Sequence, residues 1–401
     1  LGDIENIVVR AIAGVAEIDP ETWDACAEGI PLDATGIEVL GRRRNPFLAH
    51  AFLHALEASG SACADTGWLP RHLVLESPDG EIEGVMPCYL KAHSMGEYVF
   101  DHGWADAYER AGGDYYPKLQ ASVPFTPVTG PRLLVRDGPD RAERQNLLLR
   151  AAAGFTEQLD VSSLHITFLT RPEWELAGEI GFLQRTDQQF HWRNQGYESF
   201  DGFLDALASR KRKALRKERR QAVENGIEIE WVTGADLTEA HWDAFYEFYQ
   251  DTGARKWGRP YLNRAFFSMI GETMADDLLL VFAKREGRYI AGALNVIGVD
   301  TLFGRYWGCT EHHPYLHFEI CYYQAIDFAI RHGLKTVEAG AQGEHKLARG
   351  YLPTETYSVH YCRDAALARA VADFLKRERA AVTHEMAFLS EESPYKKDGG
   401  S

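Results

Sequence analysis

Sulfur is sparse in this 401-residue chain: six cysteines, at 26, 63, 88, 309, 321 and 362, are scattered with no Cys-x-x-Cys pair. That spacing argues against a thiolate zinc site and suits a reducing compartment. Long apolar runs are missing too. The longest is "LLLVFA" at 278–283, far short of the roughly 18–20 residues needed to cross a bilayer, so no membrane span is expected. The opening "LGDIENIVVRAIAGVAEI" carries acids where a secretory signal needs positive charge, and Arg10 interrupts its apolar stretch, which predicts a cytoplasmic protein. Basic residues are in deficit, 43 against 59 acidic, for a net charge of −16. This disfavours broad nucleic-acid binding while leaving room for a local phosphate site. Finally, there is no His-Glu-x-x-His, no Gly-x4-Gly-Lys-Ser/Thr, no Gly-x-Gly-x-x-Gly and no Gly-x-Ser-x-Gly. Zinc peptidases, P-loop nucleotide enzymes, dinucleotide-binding enzymes and the common α/β serine hydrolases are thereby disfavoured.

What is present suffices for two well-packed domains, with 45% hydrophobic and 12% aromatic residues. Two stretches, 72–90 and 278–298, read as strand, turn, strand, with Pro-Asp-Gly and Glu-Gly at the turns. Each is followed by a helical stretch (139–158 and 318–333) and then a short strand (163–169 and 334–339). Hairpin, helix and strand therefore occur twice, which predicts two α/β (α+β) domains of similar build, 1–195 and 196–390. Residues 391–401 are expected to be a disordered tail. The first half holds an additional segment, 91–130, rich in aromatics, Gly and Pro; so long an irregular stretch predicts a functional loop.

Against the overall acidity stands "SRKRKALRKERR" at 209–220, with eight basic residues and one acid. It is expected on a single helix over about 201–225, with Asp201 as N-cap and Gly226 as stop. Leu204, Ala208, Leu215 and Ala222 form its apolar stripe, and Arg212, Arg216 and Arg219 form a row on another face. Like charges at that spacing repel by a few tenths of a kcal/mol per pair, so something anionic must offset them. A solvated face answered by Glu218, a fixed anion site and a nucleic-acid surface are the three readings.

Chemistry-bearing residues are densest in "VEAGAQGEHKLARGYLP" (337–353) and "GCTEHHPYLHFEIC" (308–321). In the first, a strand turns through Gly340 and Gly343, whose backbone can approach a ligand closely, and Lys346 and Arg349 add positive charge. In the second, His313 and His317 beside Glu311 and Glu319 could be metal ligands, caps, or acid/base groups. Pro314 disfavours helical geometry at His313 and weakens the metal reading. In "ARKWGRPYL" (254–262), Arg255 interleaves with aromatics as a site for a charged, partly apolar ligand would require.

Several strings, among them "NPFLAHAFLHALEASG", "SRKRKALRKER", "RKWGRPYL" and "GRYWGCTEHHPYLHFEICYYQAIDFAIRHGLKTVEAGAQGEHKLARGY", resemble the bacterial FemAB-like proteins labelled predicted N-acyltransferases or peptidoglycan biosynthesis/recognition proteins. The resemblance covers about residues 40–385 and extends distantly to the Fem aminoacyltransferases. It implies two GNAT-like domains in tandem, with an acyl or aminoacyl group transferred to an amine at their junction. It places Arg212 and Arg216 near phosphate and Lys346 beside the transferring group, and Arg255 joins the two arginines as a further candidate for holding phosphate. Glu319, Glu338, His317 and His345 are then the candidate bases, and Asp101, Trp104, Tyr108 and Tyr116 of the 91–130 segment the acceptor side. Acyl-coenzyme A or aminoacyl-tRNA is the implied donor, a small-molecule or cell-wall-precursor amine the acceptor, and no metal is expected. The loop 308–317 lacks the glycine pair with which GNAT enzymes hold the coenzyme A pyrophosphate, so the donor stays open. A non-catalytic recognition protein and a metal-dependent hydrolase are the alternative classes.

Overall fold

The computed structural model describes residues 7–28, 45–257, 260–340 and 343–396, apart from the side chains of 253–257 and 344. Two compact units emerge. Of the described residues, the first holds those up to Glu28, Phe47–Asp187 and Glu355–Thr383, and the second holds Asn45 and Pro46, Gln188–Thr354 and those from His384 to Lys396. Both are mixed α/β, with twisted sheets flanked by helices.

In the first unit, Val8–Ile12, His72–Glu76, Ile82–Met86 and Leu134–Val135 form an antiparallel sheet in that order. A second sheet runs from the end of strand Leu352–Cys362 through Ser163–Leu169, Lys118–Ala121 and Tyr89–Lys91 to Trp68–Pro70. Its register pairs Leu90 with Leu119, Leu119 with Leu164, and Ile166 with Val359. These residues join Leu148, Leu149 and Ala152 of helix Arg141–Gln158 in one apolar cluster. Period-2 alternation puts Lys91, Lys118, Gln120, His165 and His360 on the opposite face. Such a face ordinarily meets water, yet here every one of these residues is buried. The covering material includes the 91–130 segment, which is more regular than its composition suggests: it contains helix His102–Arg110 and strand Lys118–Ala121. Trp104 and Tyr115 pack there with Leu367, Val371 and Leu375 of the long C-terminal helix.

In the second unit, strands Ile227–Thr233, Leu278–Arg285, Arg288–Ile297, Thr301–Cys309 and Thr336–Glu338, then the end of Leu183–Arg193, lie side by side. The expected second hairpin is present, turning at Glu286 and Gly287, both at positive φ as a tight two-residue turn requires. Gly308 lets helix Glu239–Trp257 lie directly on its strand, since a Cβ there would stand 2.1 Å from the Phe248 carbonyl oxygen.

The single helix expected over 201–225 is two helices, Phe200–Ala206 and Ser209–Ala222. Ser199 rather than Asp201 caps the first, accepting from the Gly202 N–H at 3.1 Å. Leu207 leaves helical geometry, with ψ 152°, because its backbone bridges to Tyr395 while its side chain is fully buried. The Ala208 N–H donates to the Pro394 carbonyl at 2.9 Å. The chain is therefore packed as far as Tyr395, whose hydroxyl donates to the Gly350 carbonyl; residues 397–401 lie outside the described residues.

Candidate functional site

In the second unit the site grows from strand Thr336–Glu338. The chain leaves it through Gly340 (φ 77°) and Gly343 (φ 118°), conformations an L side chain adopts poorly, and closes a 3-10 turn over Glu344–Arg349. This turn directs Lys346 inward. The side chain is only 3% exposed, and its Nζ donates to the Gly340 carbonyl at 2.9 Å. Burial first, and the neighbouring Arg305 guanidinium second, push its amine down to about 7. Lys346 and Gly340 are thus together, although the Gly340 group facing the amine is its carbonyl. Gly343 contributes its carbonyl to the Lys346 N–H, at 3.0 Å.

His345, beside Lys346, is exposed, and its Nε2 shares a 2.9 Å hydrogen bond with the Tyr322 hydroxyl. His317 stands among aromatic rings, 5.0 Å from Trp307, 5.4 Å from Tyr322 and 6.3 Å from His345, centroid to centroid. Tyr322 and Glu319 lie on one turn of π-helix, Glu319–Tyr323, a local widening often found at functional sites.

The two carboxylates proposed as bases are both engaged by guanidinium groups. Glu319 is gripped by Arg219 through three contacts of 2.9–3.2 Å and by Gln324 at 2.7 Å. Glu338 accepts from Arg305 at 2.7 Å, with His191 3.8 Å away. Burial pushes the His191 imidazole down to about 4, the opposing pull of Glu338 notwithstanding. Both carboxylates are thus engaged by guanidinium groups, whereas the exposed His345 ring is bonded to a tyrosine hydroxyl.

Glu218, the one acid in the basic block, connects that helix to the Lys346 turn. It accepts from Arg349 Nη2 at 2.8 Å and from the Tyr323 hydroxyl. Arg349 also donates to the His345 carbonyl at 2.7 Å and lies 3.4 Å above the Phe318 ring. Arg212 and Arg216 instead pair at the surface with Asp205 (2.9 Å) and Asp201 (3.0 Å) of the preceding helix. Of the arginine row, Arg219 is the one that reaches inward. Arg255 falls among the side chains outside the described residues. Sequence reasoning missed Arg305, His191 and Tyr322; only the odd acid at 218 was a visible signal. The pair His313 and Glu311 (3.0 Å) is held by Arg285 at 2.8 Å. Among the described residues no three His, Cys, Asp or Glu side chains gather as metal ligands, and no helix is long and apolar enough to cross a membrane.

Asp101, Trp104, Tyr108 and Tyr116 belong to the first unit. Asp101 accepts from Lys118 and, at 2.7 Å, from the Tyr115 hydroxyl. Trp104 meets His360 edge-on at 4.8 Å and carries the Arg185 guanidinium 5.1 Å over its ring. The Tyr116 hydroxyl bonds Ser94 at 2.8 Å. Tyr108 lies against Gly113, where a Cβ would come within 2.4 Å of its ring.

Comparison with known proteins agrees with this architecture. FemX is similar over 88% of this chain and 98% of its own, at 13% identity and a TM-score of 0.53. L-PGS from Bacillus licheniformis is similar over 84% of this chain and 99% of its own, at 10% identity and a TM-score of 0.50. A tandem GNAT protein from the clavulanic acid biosynthesis pathway also aligns, over 89% and 98%, at 12% identity and a TM-score of 0.44. No curated protein matches the chain. At such identities the first two likenesses speak to the fold alone. The FemAB-like sequence profile, described as peptidoglycan biosynthesis/recognition, matches residues 14–397, and the chain belongs to that family.

Proposed function

We propose that the protein is an N-acyltransferase that moves an acyl or aminoacyl group onto an amine in a peptidoglycan-related process. The observation that carries this reading is Lys346: a buried amine with one hydrogen bond, poised between charge states at neutral pH. Attack of an amine on an acyl carbonyl builds a tetrahedral oxyanion. A developing negative charge beside Lys346 draws a proton onto its amine, and the resulting ammonium stabilises that charge where water is largely excluded. His345, with Tyr322 fixing its ring, is the group that takes the proton from the attacking amine. Arg212 and Arg216, whose partners are exposed carboxylates, remain available to a phosphate by exchange. Asp101, Trp104, Tyr108 and Tyr116 hold the acceptor. The donor is acyl-coenzyme A or aminoacyl-tRNA; family membership and the lack of a membrane-crossing helix among the described residues are compatible with either, and with work in the cytoplasm.

The test is product formation, followed by mass spectrometry across a panel of acyl-coenzyme A and aminoacyl-tRNA donors. Lys346→Ala should lower turnover at least about tenfold, equivalent to about 1.4 kcal/mol of transition-state stabilisation, with the fold retained. Unchanged turnover would refute the assignment. A recognition protein without chemistry, the second reading, would instead yield no product with any donor and bind ligand equally well with and without Lys346.

A further inference from the structure

The buried polar face of the first unit carries more hydrogen-bonding capacity than the chain itself uses. Lys118, fully buried, donates to Ser94 Oγ at 2.9 Å, to Glu97 Oε2 at 2.7 Å and to Asp101 Oδ2, which exhausts its three N–H groups. Glu97 and Asp101 are each only 3% exposed. Their remaining oxygens, Glu97 Oε1 and Asp101 Oδ1, are buried and accept no hydrogen bond. Buried carboxylate oxygens are costly to leave so, and their presence in a folded protein calls for a donor from outside the chain.

Lys91 does not fill that role. Its Nζ stands 3.9 Å from Glu97 Oε1, donates instead to the Met95 carbonyl at 3.3 Å, and rests 3.5 Å above the Trp68 ring. Burial pushes this amine down to about 6, so at neutral pH it is mostly uncharged. Burial likewise raises the Glu97 carboxyl to about 7, so a cation beside Oε1 would draw it fully into its charged form. What the two unbonded oxygens lack is a pair of N–H donors. Water supplies donors without charge; a protonated amine supplies both. Glu97 and Asp101 belong to the segment 95–101, which exposes Met95 and Phe100, at 54% and 59%, so displacement of this one segment gives a ligand entry.

We propose that Glu97 and Asp101 form a recognition site for the ammonium group of a small primary amine, bound through Glu97 Oε1 and Asp101 Oδ1 with Lys118 bridging the opposite oxygens. In making that amine the acceptor, the proposal rests on the transfer reading above; as a binding site it stands on the first unit alone.

Hydrogen exchange of the full-length protein at pH 7.5 tests it, with ethanolamine, cadaverine and glucosamine as probes, each against its fully N-acetylated form. At least one amine should slow exchange in residues 92–101 threefold or more, and its acetylated form should not. Glu97→Gln and Asp101→Asn should abolish the effect, while Lys346→Ala, which lowers turnover, should keep it; binding and chemistry are thereby separated. The proposal is overturned if no amine protects the segment, if acetylated and free forms protect equally, or if magnesium chloride alone gives the same protection. The comparison of free with acetylated probes uses unmutated protein and stays decisive even where a variant folds poorly.

Discussion

Replacing Lys346 by methionine should stabilise the protein while disabling it, and the gain should depend on pH in a defined way. The Lys346 amine falls from 10.5 to about 7 on folding, chiefly through burial. Below pH 7 both folded and unfolded chains hold the proton, and the folded state bears the full cost of a buried charge. Between 7 and 10.5 the unfolded chain binds more protons than the folded one, so stability rises with pH and the penalty fades. A shift of this size corresponds to about 5 kcal/mol at pH 6, declining to about 1 kcal/mol at pH 9.5. Methionine fills similar volume without charge but forgoes the bond to the Gly340 carbonyl, which offsets about 1 kcal/mol. Lys346→Met should therefore exceed the unmutated protein by a few kcal/mol at pH 6, and the two should nearly converge at pH 9.5. Urea unfolding of both proteins at the two pH values reads this directly. A difference that does not change with pH, or a variant less stable at pH 6, would refute the claim that Lys346 is held in an environment hostile to its charge.

Two other substitutions probe the frame around that residue. Glu218→Gln removes the charge that Arg349 and Tyr323 share, and should cost about 1.5–3 kcal/mol, the range for a hydrogen bond to a charged group; a urea midpoint indistinguishable from the unmutated protein would show that the basic helix does not anchor the Lys346 turn. Gly308→Ala brings a Cβ within 2.1 Å of a backbone oxygen that cannot swing aside, and should lower stability by about 1–3 kcal/mol or more; an unchanged melting temperature would mean that helix Glu239–Trp257 does not press on that strand.

Local signals carried the sequence reading where local physics decides. The hairpin at 278–298 announced itself by apolar runs and by Glu-Gly at a turn that demands positive φ. The passage from strand into Gly340, over 336–340, did so through a glycine at positive φ. The break at Leu207 left no such mark, because neither proline nor glycine stands there; it is imposed by Tyr395, far along the chain, and by the burial of Leu207 itself. Arg305 with Glu338 and His165 with His360 were equally hidden, since each pair is made by strand register between distant segments, 195 residues apart in the second case.

The first unit shows where pattern reasoning gives a misleading answer for a physical reason. "KLQA" and "SLHITFL" alternate polar and apolar, and alternation ordinarily means one wet face. Here both faces are dry, so the alternation separates an apolar core from a polar interior. Burying Lys118, Glu97, Asp101, His165 and His360 together is unfavourable unless each charge finds a partner, and the network meets that condition everywhere except at a few atoms. A chain selected for stability alone would fill such a layer with leucine and valine, as it does on the opposite side of the same strands. Polar residues retained at this cost argue that the layer serves a ligand, and the atoms still lacking partners indicate where it would sit.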